Sequence, residues 1–280
     1  MSGGVSKGVN PRELTKQRKE EMVGKKFSNH WGETAVVLEY TTAVKIKMKL
    51  IDRNYEFNGY LPQLLKGEWQ TPYTPKVYNK GFVGEGKYKP TIGINDNGHT
   101  IPSKEYDMWV NLFVRIYNEE YLKTKPTYIG CSVSDEWLNF QNFGEWFEEN
   151  YWECGDETMC LDKDILVKNN KIYSPNTCLI VPKDINTLFT NCKRARGELP
   201  VGVSKRGNKY IARVSMFLTK GKGYRWQSSV QPTIEKAFME YKRAKEQYIK
   251  NVADSYKAKY PNFPQKLYDS LYAYEVEITD

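Results

Sequence analysis

The chain has 280 residues, 42 Lys or Arg against 34 Asp or Glu, a formal net charge of +8, and 40% hydrophobic and 14% aromatic residues. That length suits two or three small domains, and that apolar share excludes a disordered chain. No apolar run approaches the roughly 20 residues that span a bilayer and the N-terminus lacks an apolar signal core, so a soluble cytoplasmic protein without a membrane partner is expected.

The charge is unevenly placed. From Lys193 to Arg225 there are ten Lys or Arg against one acid, Glu198. From Ser134 to Asp164 there are ten Asp or Glu against one base, Lys163. The first stretch suits phosphates; the second suits a metal ion, a basic partner or plain solvation. The cysteines, at 131, 154, 160, 178 and 192, are odd in number and irregularly spaced. Free thiols are expected; Cys154 and Cys160 would be the first ligands of a zinc site, but the paired spacing of such sites is missing.

In chain order, residues 1–21 read as a polar basic arm with Lys16, Arg18 and Lys19. Residues 22–95 read as a small β-barrel or sheet module, with strands Ala35 to Tyr40, Val44 to Ile51 and Tyr55 to Tyr60. Ile46, Met48 and Leu50 alternate with Lys45, Lys47 and Lys49, so three ammonium groups share one face. That face fits either phosphate contact or protection of a sheet edge. Pro72, Pro75, Gly81, Gly84 and Gly86 mark an irregular connection, with a domain boundary near residues 90–100.

Residues 104–125 open on a helical stripe of Met108, Trp109, Leu112, Phe113 and Ile116. Trp137, Phe140, Phe143, Trp146 and Phe147 form a second stripe, with Asn139 or Asn142 as its cap. An acidic strand around Leu161 to Leu166, a polar turn Lys168 to Lys171, the segment Ile172 to Pro175 and a helix opening near Val181-Pro182 complete a ββα arrangement.

From Val201 onward three strands are expected: Gly202 to Ser204, Lys209 to Met216, and one around Arg225 to Gln227. A helix over Thr233 to Tyr256 follows, and a last one carrying Leu267, Tyr268, Leu271 and Tyr272 docks back on the body. The fold class is α+β, with modules at 1–21, 22–95, 104–192 and 197–280.

Tyr106-Asp-Met-Trp109, Cys131 followed by Trp137, Leu161-Asp162-Lys163-Asp164 and Tyr173-Ser-Pro175-Asn176-Thr177-Cys178 occur in that order. In this respect 106–190 resembles the HNH-like proteins of bacteriophages. Gly202-Val203-Ser204 to Tyr210-x-Ala212-Arg213 gives 197–250 a resemblance to the AP2-like, integrase-type DNA-binding domain that follows HNH in phage endonucleases. The two resemblances cover about half of the chain.

The HNH resemblance implies one divalent metal beside the scissile phosphate and a neutral His as base. It places Asp162 at the metal-ligand carboxylate, Lys163 where the His stands, and Thr177 where an orienting Asn stands. The two histidines, His30 and His99, lie outside the matched stretch, which makes the HNH region degenerate. An Asp-based variant would use Asp162 and Asp164 on Mg²⁺, with Asn176 orienting water; otherwise both carboxylates are capping or surface groups.

The AP2 resemblance implies a three-stranded sheet in the major groove of double-stranded DNA, with Lys205, Arg206, Lys209, Arg213, Arg225 and Trp226 as contacts. Three functions are therefore carried forward. They are a DNA-binding phage protein acting by occupancy or recruitment, an active homing-type HNH endonuclease or nickase with the Asp-based metal site, and a protein-binding inhibitor of a host defence factor using 134–164.

Overall fold

The computed structural model describes residues 16, 19–189, 197–219 and 222–280, except the side chains of 217–219, 222 and 223. Most of the expected basic arm and Cys192 to Arg196 lie outside the described residues. The described chain is mixed α and β and falls into two compact units, 1–103 with 137–142, and 104–136 with 143–280. Among the described residues no helix is long and apolar enough to cross a membrane.

The first unit is built on β1 (Lys26–Ser28), β2 (Thr34–Thr42), β3 (Lys45–Leu50) and β4 (Glu56–Gly59), antiparallel neighbours in that order. Of the two expected forms, barrel or sheet, it is the open sheet: β1 and β4 are not paired with each other. The alternation in β3 holds, with Ile46, Met48 and Leu50 buried against Ala35, Val37, Leu64 and Trp69. Because β3 lies between β2 and β4, its lysines protect no edge. They also face acids: Lys47 sits opposite Glu39 and bonds Glu56 at 2.8 Å.

Helix α1 (Leu61–Lys66) closes this core through Leu64 and stops at Gly67, whose φ of +71° suits a glycine at a helix end. At the domain boundary expected near residues 90–100 there is a ribbon, β5 (Thr91–Ile94) paired with β6 (Thr100–Pro102). Its turn is tied by Asn95, whose side-chain oxygen accepts from the amides of Asn97 and His99.

In the second unit the first aromatic stripe forms α2 (Lys104–Tyr117), and a separate short helix α3 (Glu119–Thr124) follows. Asn118 breaks it, adopting extended backbone and capping α3 by accepting from Tyr121 N at 2.9 Å. The second stripe is α4 (Phe140–Asn150), whose first residues belong to the first unit, with Asn139 accepting from Gln141 N.

The ββα element is assembled differently from the expected hairpin. Strand β8 (Met159–Asp162) pairs antiparallel with β10 (Leu179–Pro182), which leads into the short α5 (Lys183–Thr187). The intervening β9 (Ile172–Tyr173) pairs instead, in parallel, with β7 (Ser132–Val133).

Strands β11 (Val203–Arg206), β12 (Lys209–Thr219) and β13 (Lys222–Gln227) form an antiparallel sheet against α6 (Ile234–Lys259). Thr233 caps α6, and Ala237, Phe238, Tyr241 and Tyr248 bury against Val203, Ala212 and Val214. Farther along the same helix, Ile249 and Ala253 enter a different core with Trp152, Ile165, Val181 and Ile185. Helix α7 (Gln265–Tyr272) adds Leu267 and Leu271 to it. One helix thus ties the expected modules 104–192 and 197–280 through shared hydrophobic burial, the dominant favourable term in folding.

Candidate nucleic-acid interface

The loop Gly207-Asn208 joins β11 to β12, with Arg206 opposite Lys209 and Gly207 at φ +62°. A two-residue hairpin of this kind places glycine first because a β-carbon resists that angle. Val203 pairs with Ala212, and Val214 with Trp226, and these residues join the core beneath α6. Strand alternation then assigns Arg206, Lys209, Arg213 and Arg225 to the opposite face.

All four are exposed. Arg213 donates to Gln227 Oε1 at 3.3 Å, and none of the four is in an ion pair among the described residues. Ile211 has the same strand parity but is 1% exposed, so the accessible part of that face carries the four cations together with Ser215 and Gln227. Lys205 and Trp226 are placed otherwise. Lys205, opposite Tyr210, is exposed on the helix side of the hairpin, and Trp226 is half-buried against the helix core.

The carboxylates of the ββα element occupy a polar knot. Asp162 is buried, and its Oδ1 accepts from the backbone amides of Asp164 at 2.9 Å and Ile165 at 2.8 Å. Burial holds its carboxyl above the ordinary range, against those amides, which favour the charged form. Lys163 Nζ sits 2.7 Å from both Asp164 oxygens and 2.6 Å from Asn170 O. Asn170 returns the contact, donating to Lys163 O and Ile172 O. Asn176 is exposed in the turn before β10, with no hydrogen bond to either aspartate. The carboxylates thus hold the turn after β8, and among the described residues no three His, Cys, Asp or Glu converge as a metal-holding group.

Two residues beside these groups were not singled out from the sequence. Arg115 of α2 donates to Leu161 O at 3.2 Å and lies against Tyr173 and Tyr128. Lys245 of α6 is pushed down to about 8 by burial. Both are legible as cations on apolar stripes: Arg115 is three past Leu112, and Lys245 is four past Tyr241. Burial pushes the thiol of Cys154 up to about 11 and that of Cys178 up to about 12, which disfavours a reactive thiolate at either.

The acidic stretch presents Asp135, Glu136, Glu145, Glu149 and Asp156 as exposed side chains, while Glu157 accepts from Tyr256 OH. Compared with protein-family models, with curated proteins and with solved structures, the chain matches none.

Proposed function

We propose that this chain binds double-stranded DNA through the outer face of the β11–β12–β13 sheet and acts by occupancy or recruitment rather than cleavage. The observation that carries the reading is the set Arg206, Lys209, Arg213 and Arg225, which share one exposed face without a carboxylate partner among the described residues. Lys209 and Arg213 are about 13 Å apart along the strand, four residues at about 3.3 Å each. A sheet of this width fits a major groove of about 12 Å, with cations on the flanking phosphates and Arg213 available to a guanine edge.

The resemblance of 197–250 to the AP2-like domain supports the same reading. The lack of cleavage rests on the knot below β8: one Asp162 oxygen is committed to backbone amides, and Lys163 occupies the Asp164 carboxylate. A Mg²⁺ site of Asp162 and Asp164, with Asn176 orienting water, would first have to displace these contacts.

The test has two arms. Anisotropy of a labelled duplex titrated with the full chain should show binding whose logarithm falls linearly with the logarithm of salt, at a slope of roughly −0.9 per phosphate contact. Supercoiled plasmid with Mg²⁺ or Mn²⁺ should remain intact. Nicking that disappears in an Asp162→Ala, Asp164→Ala variant would establish the nuclease instead, and absence of duplex binding at low salt would remove the DNA reading.

A further inference from the structure

Beside the sheet lies a cavity of about 380 Å³ whose lining, among the described residues, shares only Arg213 with the proposed DNA contacts. That volume is in the range of small-molecule sites. Among the described residues it is lined by Arg213 and Ser215 of β12, Tyr241 and Lys245 of α6, and Tyr274, Val276 and Asp280 of the C-terminal segment.

Its charge is unbalanced. No carboxylate contributes to the shift of Lys245, which burial alone produces, and its ammonium lies 5.7 Å from the centre of the Tyr248 ring. Asp280, the carboxylate in the lining, is already held: it accepts from Lys168 Nζ at 3.2 Å and from Glu277 N at 2.9 Å. Arg213 enters the lining, but its guanidinium donates to Gln227 Oε1 on the sheet's outer face. A desolvated ammonium thus borders this space with no anion of the protein assigned to it among the described residues, an arrangement that a bound oxyanion would relieve. The remaining wall is aromatic and apolar, with Tyr241, Tyr274, Val201, Val214 and Val276.

We propose that this cavity binds a small organic oxyanion with a planar body, of the size and chemistry of a nucleoside monophosphate. Lys245 holds the anionic head, and the rings of Tyr241 and Tyr274 cover the body. Lys245 belongs to α6 and not to the sheet's outer face, so its substitution tests this site apart from duplex binding.

Calorimetric titration of the full chain with adenosine monophosphate, adenosine and inorganic phosphate tests it. The monophosphate should bind at least tenfold more tightly than either fragment. Lys245→Met should weaken it by a further ten- to hundredfold, as expected for a charge-assisted hydrogen bond, and Lys245→Arg should stay within a few-fold of the parent. Duplex binding by Lys245→Met should be unchanged. No binding of the monophosphate, equal binding of adenosine or of phosphate, or an unaffected Lys245→Met would overturn the proposal. The comparison of the three probes on the parent chain decides the matter even if the variant fails to fold.

Discussion

The ring of Tyr241 lies so close to Gly202 that a β-carbon at 202 would fall 2.0 Å from its Cδ2. Gly202 also has φ +73°, in the region that side chains resist. This contact seats α6 on the entry to β11 and sets the sheet on its helix. Gly202→Ala should therefore cost roughly 1–3 kcal/mol for the displaced ring and about 1 kcal/mol more for the backbone. Gly207→Ala, at φ +62° with nothing within 4 Å, should cost only the backbone part, about 1 kcal/mol. Chemical denaturation of the two variants checks the difference; equal losses would refute the packing role.

Asp162 should weaken the fold whenever it is ionised. Burial raises its carboxyl above the ordinary 3.8, so its contribution is most favourable below that value and is lost as pH rises through the higher folded value. Asp162→Asn keeps an oxygen for the amides of Asp164 and Ile165 without the charge. It should melt higher than the parent at pH 7, with the gain vanishing below pH 3.8. Melting curves across this range decide it, and a variant less stable at pH 7 would contradict the account of the knot.

Lys245 titrates with the opposite sign. Its folded value near 8 lies below the ordinary 10.5, so its contribution is fully favourable above 10.5 and is lost as pH falls towards 8. Lys245→Met should raise the melting temperature at pH 7, and the gain should shrink between pH 8 and 10.5. A gain that does not depend on pH would point to packing alone.

Gln141 should hold the loop before Pro90 in place. Its amide donates to Val83 O and Tyr88 O, both at 3.1 Å, and its oxygen accepts from Tyr88 N at 3.0 Å. Gln141→Leu removes all three, at about 1 kcal/mol each. Amide exchange over 83–88 should accelerate while β2 and β3 stay protected; unchanged exchange in the loop would dismiss the clamp.

Much of this fold can be read from local periodicity. The alternation of Ile46, Met48 and Leu50 with lysines gives β3, and the spacing of Ala237, Phe238, Tyr241 and Tyr248 gives α6. What periodicity cannot carry is long-range register. That Leu179 faces Asp162, while Tyr173 leaves to pair with Val133, depends on contacts distant in sequence. The same limit hides the place of β3 inside its sheet, which removes the edge role of its lysines.

The candidate site was legible to a similar depth. Charge density and alternation identify the basic sheet, yet only the register separates Arg206, Lys209, Arg213 and Arg225 from Trp226 and Lys205. A capping role for Asp162 was one of the readings open in the sequence, but its partners were not legible, because it bonds amides two and three residues ahead, a turn geometry that a run of alternating acids does not specify.

Duplex binding by two charge-reduced variants tests the central claim most directly. One replaces Arg206, Lys209, Arg213 and Arg225 by Ser; the other replaces Lys45, Lys47 and Lys49, exposed or half-exposed in the other unit. Anisotropy at fixed low salt should show the first variant losing binding and salt dependence, with the second close to the parent. Equal loss in both, or full binding by the first, would contradict the assignment of the interface.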